Sequence, residues 1–285
     1  MQLVRFAGDD GPRLAVTDGP NNYLLDPNLS LGTMLARPVH GIRAQLEAAT
    51  STPPTSSEIS LLAPVDGRTE VWAAGVTYQR SKDARMLESE READIYDRVY
   101  DAERPELFLK SVAWRVTGTG GNLSIRADSE INVPEPELAV VYNARAEVVG
   151  YTICNDMSSR SIEGENPLYL PQAKVYAGSC ALGPGIRPAW EVADPYALTI
   201  RLTIERDGKI AWKGSSSTAS LHRRFDELAD YLFREQDFPD GVVLSTGTSL
   251  VPDLPFTLQP DDAISVDIDE VGTLVNRVVR GKDQL

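Results

Sequence analysis

The sequence predicts an α+β fold that is mostly β. Short apolar runs recur between turns rich in Gly, Pro, Asp and Asn, which is typical of strands in a β-rich domain. Asp207-Gly208 lies between two such runs and predicts a tight β-hairpin turn. Fewer segments have helical character. The chain has 285 residues, 42% of them hydrophobic, which is enough for one large core with a small attached lobe.

The predicted strands share apolar content and flanking turn residues. In chain order they are Gln2 to Phe6, Arg13 to Thr17, Glu70 to Ala74, Leu107 to Leu109, Glu137 to Tyr142, Val148 to Ile153, Ala197 to Glu205, Gly241 to Ser245 and Ala263 to Ile268. Their spacing is too irregular for a repeat architecture.

The predicted helices are Gly41 to Ala49, Ser81 to Glu103 and Leu221 to Gln236. The second has dense alternating charge, typical of a solvated face, and the third has an apolar stripe that would pack on a sheet. The first helix ends in the polar segment Thr50 to Ser57, which reads as a linker. We therefore expect a small N-terminal domain at residues 1–62 and a catalytic domain at residues 63–285.

The charge pattern limits the partners. A formal net charge of -14 argues against nucleic acid and anionic membranes, because those partners require clustered Lys and Arg. The N-terminal residues lack the pattern of a secretory signal, and no run is apolar enough to span a bilayer, so we expect a cytoplasmic protein. Cys154 and Cys180 have no metal-binding spacing and are predicted to be core residues.

A group of three acidic residues carries the functional hypothesis. Glu135 and Glu137 are two residues apart at the start of a predicted strand, so their side chains point to the same face. If the following turn is centred on residues 144 and 145, position 135 faces position 154. Asp156 then shares the face of the two glutamates.

Three carboxylates on one face repel one another unless a cation lies between them. Oxygen ligands without His or Cys favour a hard ion, with Mg²⁺ first and Mn²⁺ or Ca²⁺ as alternatives. Two acids at this spacing are by themselves more often solvated. The hypothesis is strengthened by the segments that follow, which are NDMSSR ending at Arg160, QAKVYAGSCALGP containing Lys174, and STGT at residues 245–248.

These segments resemble, in their order, the motifs of the fumarylacetoacetate hydrolase family, from about Val71 to Val279. The resemblance implies a mixed β-sandwich roll with a small N-terminal domain, and frequent homodimers or dimers of dimers. It also implies a site. Its metal ligands would be Glu135, Glu137 and Asp156, its substrate-contacting lysine Lys174, its late-loop residues Gly247 and Thr248, and its substrate or lid arginine Arg160.

The chain departs from the hydrolytic members in one segment. Those members have a His-Glu pair that activates water, whereas Ser81 stands in place of the histidine and Ala84 in place of the glutamate. This segment is similar to the branch that dehydrates 2-keto-3-deoxy sugar acids, as are Asp101 to Ser111 and Gly164 to Lys174. The similarity implies that Ser81 belongs to the substrate site.

We therefore expect a lyase that converts a 2-keto-3-deoxy-pentonate to 2-oxoglutarate semialdehyde through a metal-stabilised enolate. Lys174 is the candidate base, and Glu106 is the candidate acid or water-handling partner. One alternative is a hydrolase or decarboxylase of a 2,4-diketo or oxaloacetate-like acid. A second is a protein that binds metal and a small 2-keto acid without turnover.

Overall fold

The structure, a computed structural model, describes residues 1–55, 58–79 and 98–285. Its strands are, in chain order, β1 (Gln2–Gly8), β2 (Gly11–Asp18), β3 (Asn21–Leu24), β4 (Ser60–Leu62), β5 (Glu70–Gly75), β6 (Glu106–Val112), β7 (Asn122–Ile125), β8 (Asn132–Val133), β9 (Pro136–Tyr142), β10 (Val148–Asp156), β11 (Ser158–Ser159), β12 (Cys180–Pro188), β13 (Thr199–Arg206), β14 (Lys209–Ser217), β15 (Val242–Ser245), β16 (Ala263–Ile268) and β17 (Gly272–Arg280). The α-helices are α1 (Leu31–Leu35), α2 (Val39–Ala49), α3 (Arg160–Glu165), α4 (Leu170–Lys174) and α5 (Phe225–Phe233).

The strands form two mixed sheets and a small ladder. Within the described residues, the larger sheet has ten strands in the order β3-β2-β1-β12-β10-β9-β15-β5-β6, with β4 beside β1. The smaller sheet has five, in the order β14-β13-β16-β17-β7, and β8 pairs with β11. Each sheet contains one parallel pair, β5 with β15 and β7 with β17. This confirms the mostly β, mixed-sheet fold predicted from the sequence.

The larger sheet is covered on both faces, which explains why β9 is buried along its whole length. On one face, Leu138 and Val140 join a core with Ile200 and Val266 of the smaller sheet. On the other face, Val141 packs in a second core with residues of α1 and α2. Burial of apolar surface stabilises a fold by about 25 cal/mol per Å², so these two cores fix β9 and β10 firmly.

The free cysteines Cys154 and Cys180 are buried in the second core, as predicted. The Asp207-Gly208 turn is also confirmed, because Arg206 pairs with Lys209 and both central residues have positive φ, 52° and 72°. This conformation is that of a type I′ hairpin turn.

The register predicted for the β9–β10 hairpin was wrong by two residues. Glu137, rather than residue 135, faces Cys154. One residue of the shift comes from the turn, where Ala146 has a φ of 58° and Asn143 pairs with Glu147 across three residues. The other comes from an irregularity between Val148 and residue 150. Because side chains alternate with a period of two, a two-residue shift leaves every residue on its predicted face.

The helix predicted from Leu221 to Gln236 is shorter, and α5 begins at Phe225. Leu221 forms a β-bridge with Tyr78, and the N–H of His222 donates to the carbonyl of Thr77, so this part of the chain is extended. Most of the predicted helix Ser81 to Glu103 lies outside the described residues.

Residues 1–62 contribute β1 to β4 together with α1 and α2. Strand β1 pairs with β12, so the N-terminal strands continue the larger sheet. The domain boundary at residue 62 stays a prediction. Among the residues described, no helix has the length and apolarity needed to cross a bilayer.

Candidate active site

Three carboxylates meet at the open end of the β9–β10 hairpin. Glu135 lies directly before β9, Glu137 is within it, and Asp156 is the last residue of β10. The N–H of Asp156 donates to the carbonyl of Glu135 over 2.9 Å, which fixes the two strand ends together. Each residue is at most 2% exposed. One carboxylate oxygen from each lies within 4.8 Å of the other two, so the three side chains can bind one ion.

Lys174, at the end of α4, lies among these carboxylates and is 1% exposed. Its Nζ donates to Glu135 Oε2 over 2.7 Å and to Ser158 Oγ over 2.6 Å. Asp156 Oδ2 is 3.5 Å away. Since a lysine is rarely buried without a partner, this position distinguishes Lys174 from a surface lysine.

Two further cations contact the carboxylates from other directions. Arg160 Nη2 lies 2.9 Å from Glu135 Oε1, and Lys110 Nζ lies 2.5 Å from Asp156 Oδ1. The repulsion among the three acids, which from the sequence predicted a cation between them, is therefore already reduced. Side chains of the protein already offset the charges of Glu135 and Asp156, so the proximity of three acids does not by itself require a metal ion.

Glu137 has a different environment, which does indicate a cation site. Its Oε2 accepts hydrogen bonds from the Ser245 hydroxyl over 2.5 Å and from the Gly247 N–H over 2.8 Å. Within the described residues, no cationic side chain pairs with it. Burial, followed by the negative charge of Asp156, raises the pKa of Glu137 well above its ordinary value. A divalent ion beside it would favour the ionised form, and an all-oxygen donor set suits Mg²⁺.

The conformation of Gly247 in the loop after β15 requires a glycine. Its φ is +88°, and a Cβ at this position would lie 2.0 Å from Thr77 Oγ1. The neighbouring Thr248 donates from its hydroxyl to the carbonyl of Pro136 over 2.9 Å. The loop therefore holds the start of β9 as well as Glu137.

A pocket opens beside the carboxylates. Its lining combines these acids, Lys174, the late loop, the end of β5 and one aromatic residue of β6, namely Ala74, Gly75, Val76, Phe108, Glu135, Glu137, Asp156, Lys174, Gly247 and Thr248. Glu106 is not among these lining residues, but its carboxylate lies over Gly75, where a Cβ would be 1.9 Å from Glu106 Oε2. The absence of a side chain at Gly75 thus makes room for Glu106.

Arg160, a predicted substrate residue, is not among the described residues that line the pocket. Arg160 is buried and paired with Glu135, and its Nη1 lies 3.7 Å from Glu163 Oε2. Ser81 lies outside the described residues. Their contacts with substrate stay predictions, as do the roles assigned to Lys174, Glu106, Gly247 and Thr248.

Lys110 is a site residue that the sequence reasoning missed. It is 0% exposed and contacts Asp156, although its strand looked like an ordinary apolar run. The segment LFLKSV gave no signal, because an alternating strand would place this lone lysine in solvent.

Comparison with known proteins places this site in a family. The family model described as "Fumarylacetoacetate (FAA) hydrolase C-terminal" matches residues 70–279. A "Probable 2-keto-3-deoxyxylonate dehydratase" of Haloferax volcanii is 50% identical over 215 residues, covering 75% of this chain and 73% of that protein. A "2-dehydro-3-deoxy-D-arabinonate dehydratase" of Saccharolobus solfataricus is 41% identical over 225 residues, covering 78% of this chain and 75% of that protein.

A solved structure of "2-keto-3-deoxy-D-arabinonate dehydratase complexed with magnesium and 2,5-dioxopentanoate" has a TM-score of 0.83 and 33% identity to this chain. The match covers 98% of this chain and 99% of the chain in that structure. The matched region contains both carboxylate-bearing strands, Lys174 and the late loop. The chain therefore belongs to the fumarylacetoacetate hydrolase family.

Proposed function

We propose that this protein is a Mg²⁺-dependent hydro-lyase that dehydrates a 2-keto-3-deoxy-pentonate to 2-oxoglutarate semialdehyde, which is 2,5-dioxopentanoate. The two relatives named for this reaction on xylonate- and arabinonate-derived substrates support the proposal, as does the neighbour that binds magnesium and 2,5-dioxopentanoate.

The composition of the pocket is the observation that carries the proposal. Among the described residues, its lining has three acids and one buried lysine, and neither of the chain's two histidines, His40 and His222, is part of it. Hydrolysis needs a base that activates water, and histidine is the most common one. Elimination needs no water nucleophile, only a base close to the substrate. The pocket suits elimination better.

Glu135, Glu137 and Asp156 would hold the metal ion, which when bound acts as a Lewis acid on the 2-keto oxygen and acidifies the C3 protons. Lys174 would take a C3 proton, for which it must first release its own to become a neutral amine. The polar contacts of its Nζ to Glu135 and Ser158 orient it toward the pocket that it lines.

Loss of the C3 proton and the C4 hydroxyl releases one water and leaves a C3–C4 double bond conjugated to the keto group. Removal of one C5 proton then moves the double bond to C4–C5, and a proton is added at C3. The C5 hydroxyl loses its proton and becomes the aldehyde oxygen while a proton is added at C4, so the two protons lost balance the two gained. The product differs from the substrate by one water, so no oxidant or reductant is needed.

Glu106 would assist departure of the C4 hydroxyl, from its position over the pocket-lining Gly75. Gly247 and Thr248 would contact the substrate from the opposite loop, as pocket-lining residues. Arg160 would offset the negative charge of the substrate. It would do so directly if its ion pair with Glu135 opens, and otherwise indirectly, by offsetting the charge of Glu135. Ser81 would complete the substrate site.

We further propose that the protein acts in the cytoplasm as a homodimer or a dimer of dimers. Strand β6 lies at an end of the larger sheet's strand order among the described residues. Trp114, which follows it, is 79% exposed, and a large exposed aromatic residue beside a sheet edge suits a subunit contact.

A substrate panel tests the proposed reaction. The protein, with Mg²⁺, would be incubated with several 2-keto-3-deoxy-pentonates and with acylpyruvates, and the products would be identified by mass. We expect one or more pentonates to lose one water. Release of pyruvate from acylpyruvates with no semialdehyde from any pentonate would establish the hydrolytic alternative. Metal and keto-acid binding without any product would establish the binding alternative.

A further inference from the structure

The ammonium group of Lys110 contacts three oxygens from different elements. It donates to the carbonyl of Met157 over 3.0 Å and to the carbonyl of Lys174. Its third contact is Asp156 Oδ1 at 2.5 Å, an ion pair whose angle is not that of an aligned hydrogen bond. Two of its three N–H groups therefore serve main-chain carbonyls, and the contact with Asp156 is electrostatic.

The backbone of β6 is irregular at this residue. Val71 of β5 pairs with Ser111 and Trp72 pairs with Leu109, so Lys110 is an extra residue opposite no residue of β5. Such a bulge re-aims a side chain, and bulges are frequent next to active sites. Here the buried side chain reaches Asp156 and the last turn of α4.

Lys110 does not line the pocket, whereas Asp156 and Lys174 both do. Lys110 contacts the carboxylate of Asp156 and the main-chain carbonyl of Lys174. We propose that Lys110 is a positioning residue that fixes Asp156 for metal binding and Lys174 for proton transfer through one buried ammonium. The inference rests on the proposed function, since it assumes that Asp156 is a metal ligand.

A simpler role makes the opposite prediction. A cation 2.5 Å from a ligand oxygen also competes with the metal for that oxygen. If Lys110 only offset the charge of Asp156, its removal would free the carboxylate and tighten metal binding. If Lys110 positions Asp156, its removal would weaken metal binding, because outer-sphere partners of metal ligands contribute about 10–100-fold to affinity or activity. The direction of the change separates the two roles.

The experiment measures Mn²⁺ affinity by calorimetry, without substrate, in the wild type and in Lys110→Met. Methionine fills a similar volume without the charge. Lys209→Met is the matched control, because it removes a lysine from the exposed surface of β14. Thermal melts establish that each variant is folded at the temperature used. Lys110→Gln, which keeps N–H donors, replaces Lys110→Met if the latter does not fold.

We expect the Lys110 variant to bind Mn²⁺ about 10-fold or more weakly and to have a lower kcat, with Lys209→Met unchanged in both. Unchanged or tighter Mn²⁺ binding by the Lys110 variant, beside a wild type that binds Mn²⁺, would overturn the inference and leave the proposed function intact. A wild type with no Mn²⁺ affinity would overturn both. Failure of both Lys110 variants to fold would also overturn the inference, in favour of a purely structural role.

Discussion

Replacing Lys174 with alanine is expected to lower kcat by about 100-fold or more, the range for loss of general acid–base catalysis. The physical reason is its position, since among the described residues it is the buried lysine that lines the pocket, and its Nζ lies 2.7 Å from Glu135 and 2.6 Å from Ser158. We expect the variant still to bind metal, because the three carboxylates remain. Steady-state rates on the best pentonate of the panel, with parallel calorimetry, would check both expectations.

The control must separate lost chemistry from lost stability. Removing one partner of a buried ion pair can cost about 3–5 kcal/mol of folding free energy. Lys174→Met, which keeps much of the buried aliphatic volume, should therefore be measured beside Lys174→Ala, with thermal melts for each. Lys213→Ala removes a lysine from the exposed surface and should retain the wild-type rate. A near-normal rate in either folded Lys174 variant would contradict the assignment of Lys174 as the base.

Removal of the metal is expected to abolish turnover. Exhaustive treatment with EDTA should eliminate activity, and Mg²⁺ should restore it. Glu137→Gln should weaken metal binding by more than about 100-fold, beyond the range typical of residues that act only through a ligand. Among the three proposed metal ligands, Glu137 is the best one to substitute. Burial raises its pKa, and its hydrogen bonds come from neutral donors, Ser245 and Gly247. A glutamine keeps the shape but loses the charge.

Glu205→Gln is the matched control, since Glu205 is exposed on β13. Its metal affinity and activity should equal those of the wild type. Full activity after exhaustive chelation would refute the metal requirement. Unchanged Mn²⁺ affinity in folded Glu137→Gln would remove Glu137 from the ligand set while leaving the requirement itself in place.

The alternation of side chains made the carboxylate face predictable. Glu135, Glu137 and Asp156 share a face in any antiparallel pairing shifted by an even number of residues. The turn and the irregularity near Val148 each shift the pairing by one residue, and the two shifts add to an even number. The predicted register was wrong and the predicted face was right for this reason.

Other parts of the site were beyond local sequence reasoning. Lys174 was selected from the family resemblance, because nothing in its own segment marks it as buried. Lys110 required knowledge of a bulge, and bulges depend on how β6 pairs with β5 rather than on the residues of one strand. The helix start at Phe225 likewise depends on a tertiary contact, the bridge between Leu221 and Tyr78.

We propose that one metal ion, bound by Glu135, Glu137 and Asp156, holds a 2-keto acid beside Lys174. A crystal structure of the protein with Mn²⁺ and pyruvate would test this most directly, because anomalous scattering locates the ion independently of the protein atoms. We expect one Mn²⁺ bound to an oxygen of each carboxylate. Each Mn²⁺–oxygen distance should be close to the value of about 2.1 Å that is typical of Mg²⁺–oxygen bonds. The carboxylate and keto oxygen of pyruvate should complete its coordination on the side of Lys174. An ion bound elsewhere, or pyruvate bound away from the ion and Lys174, would contradict the account.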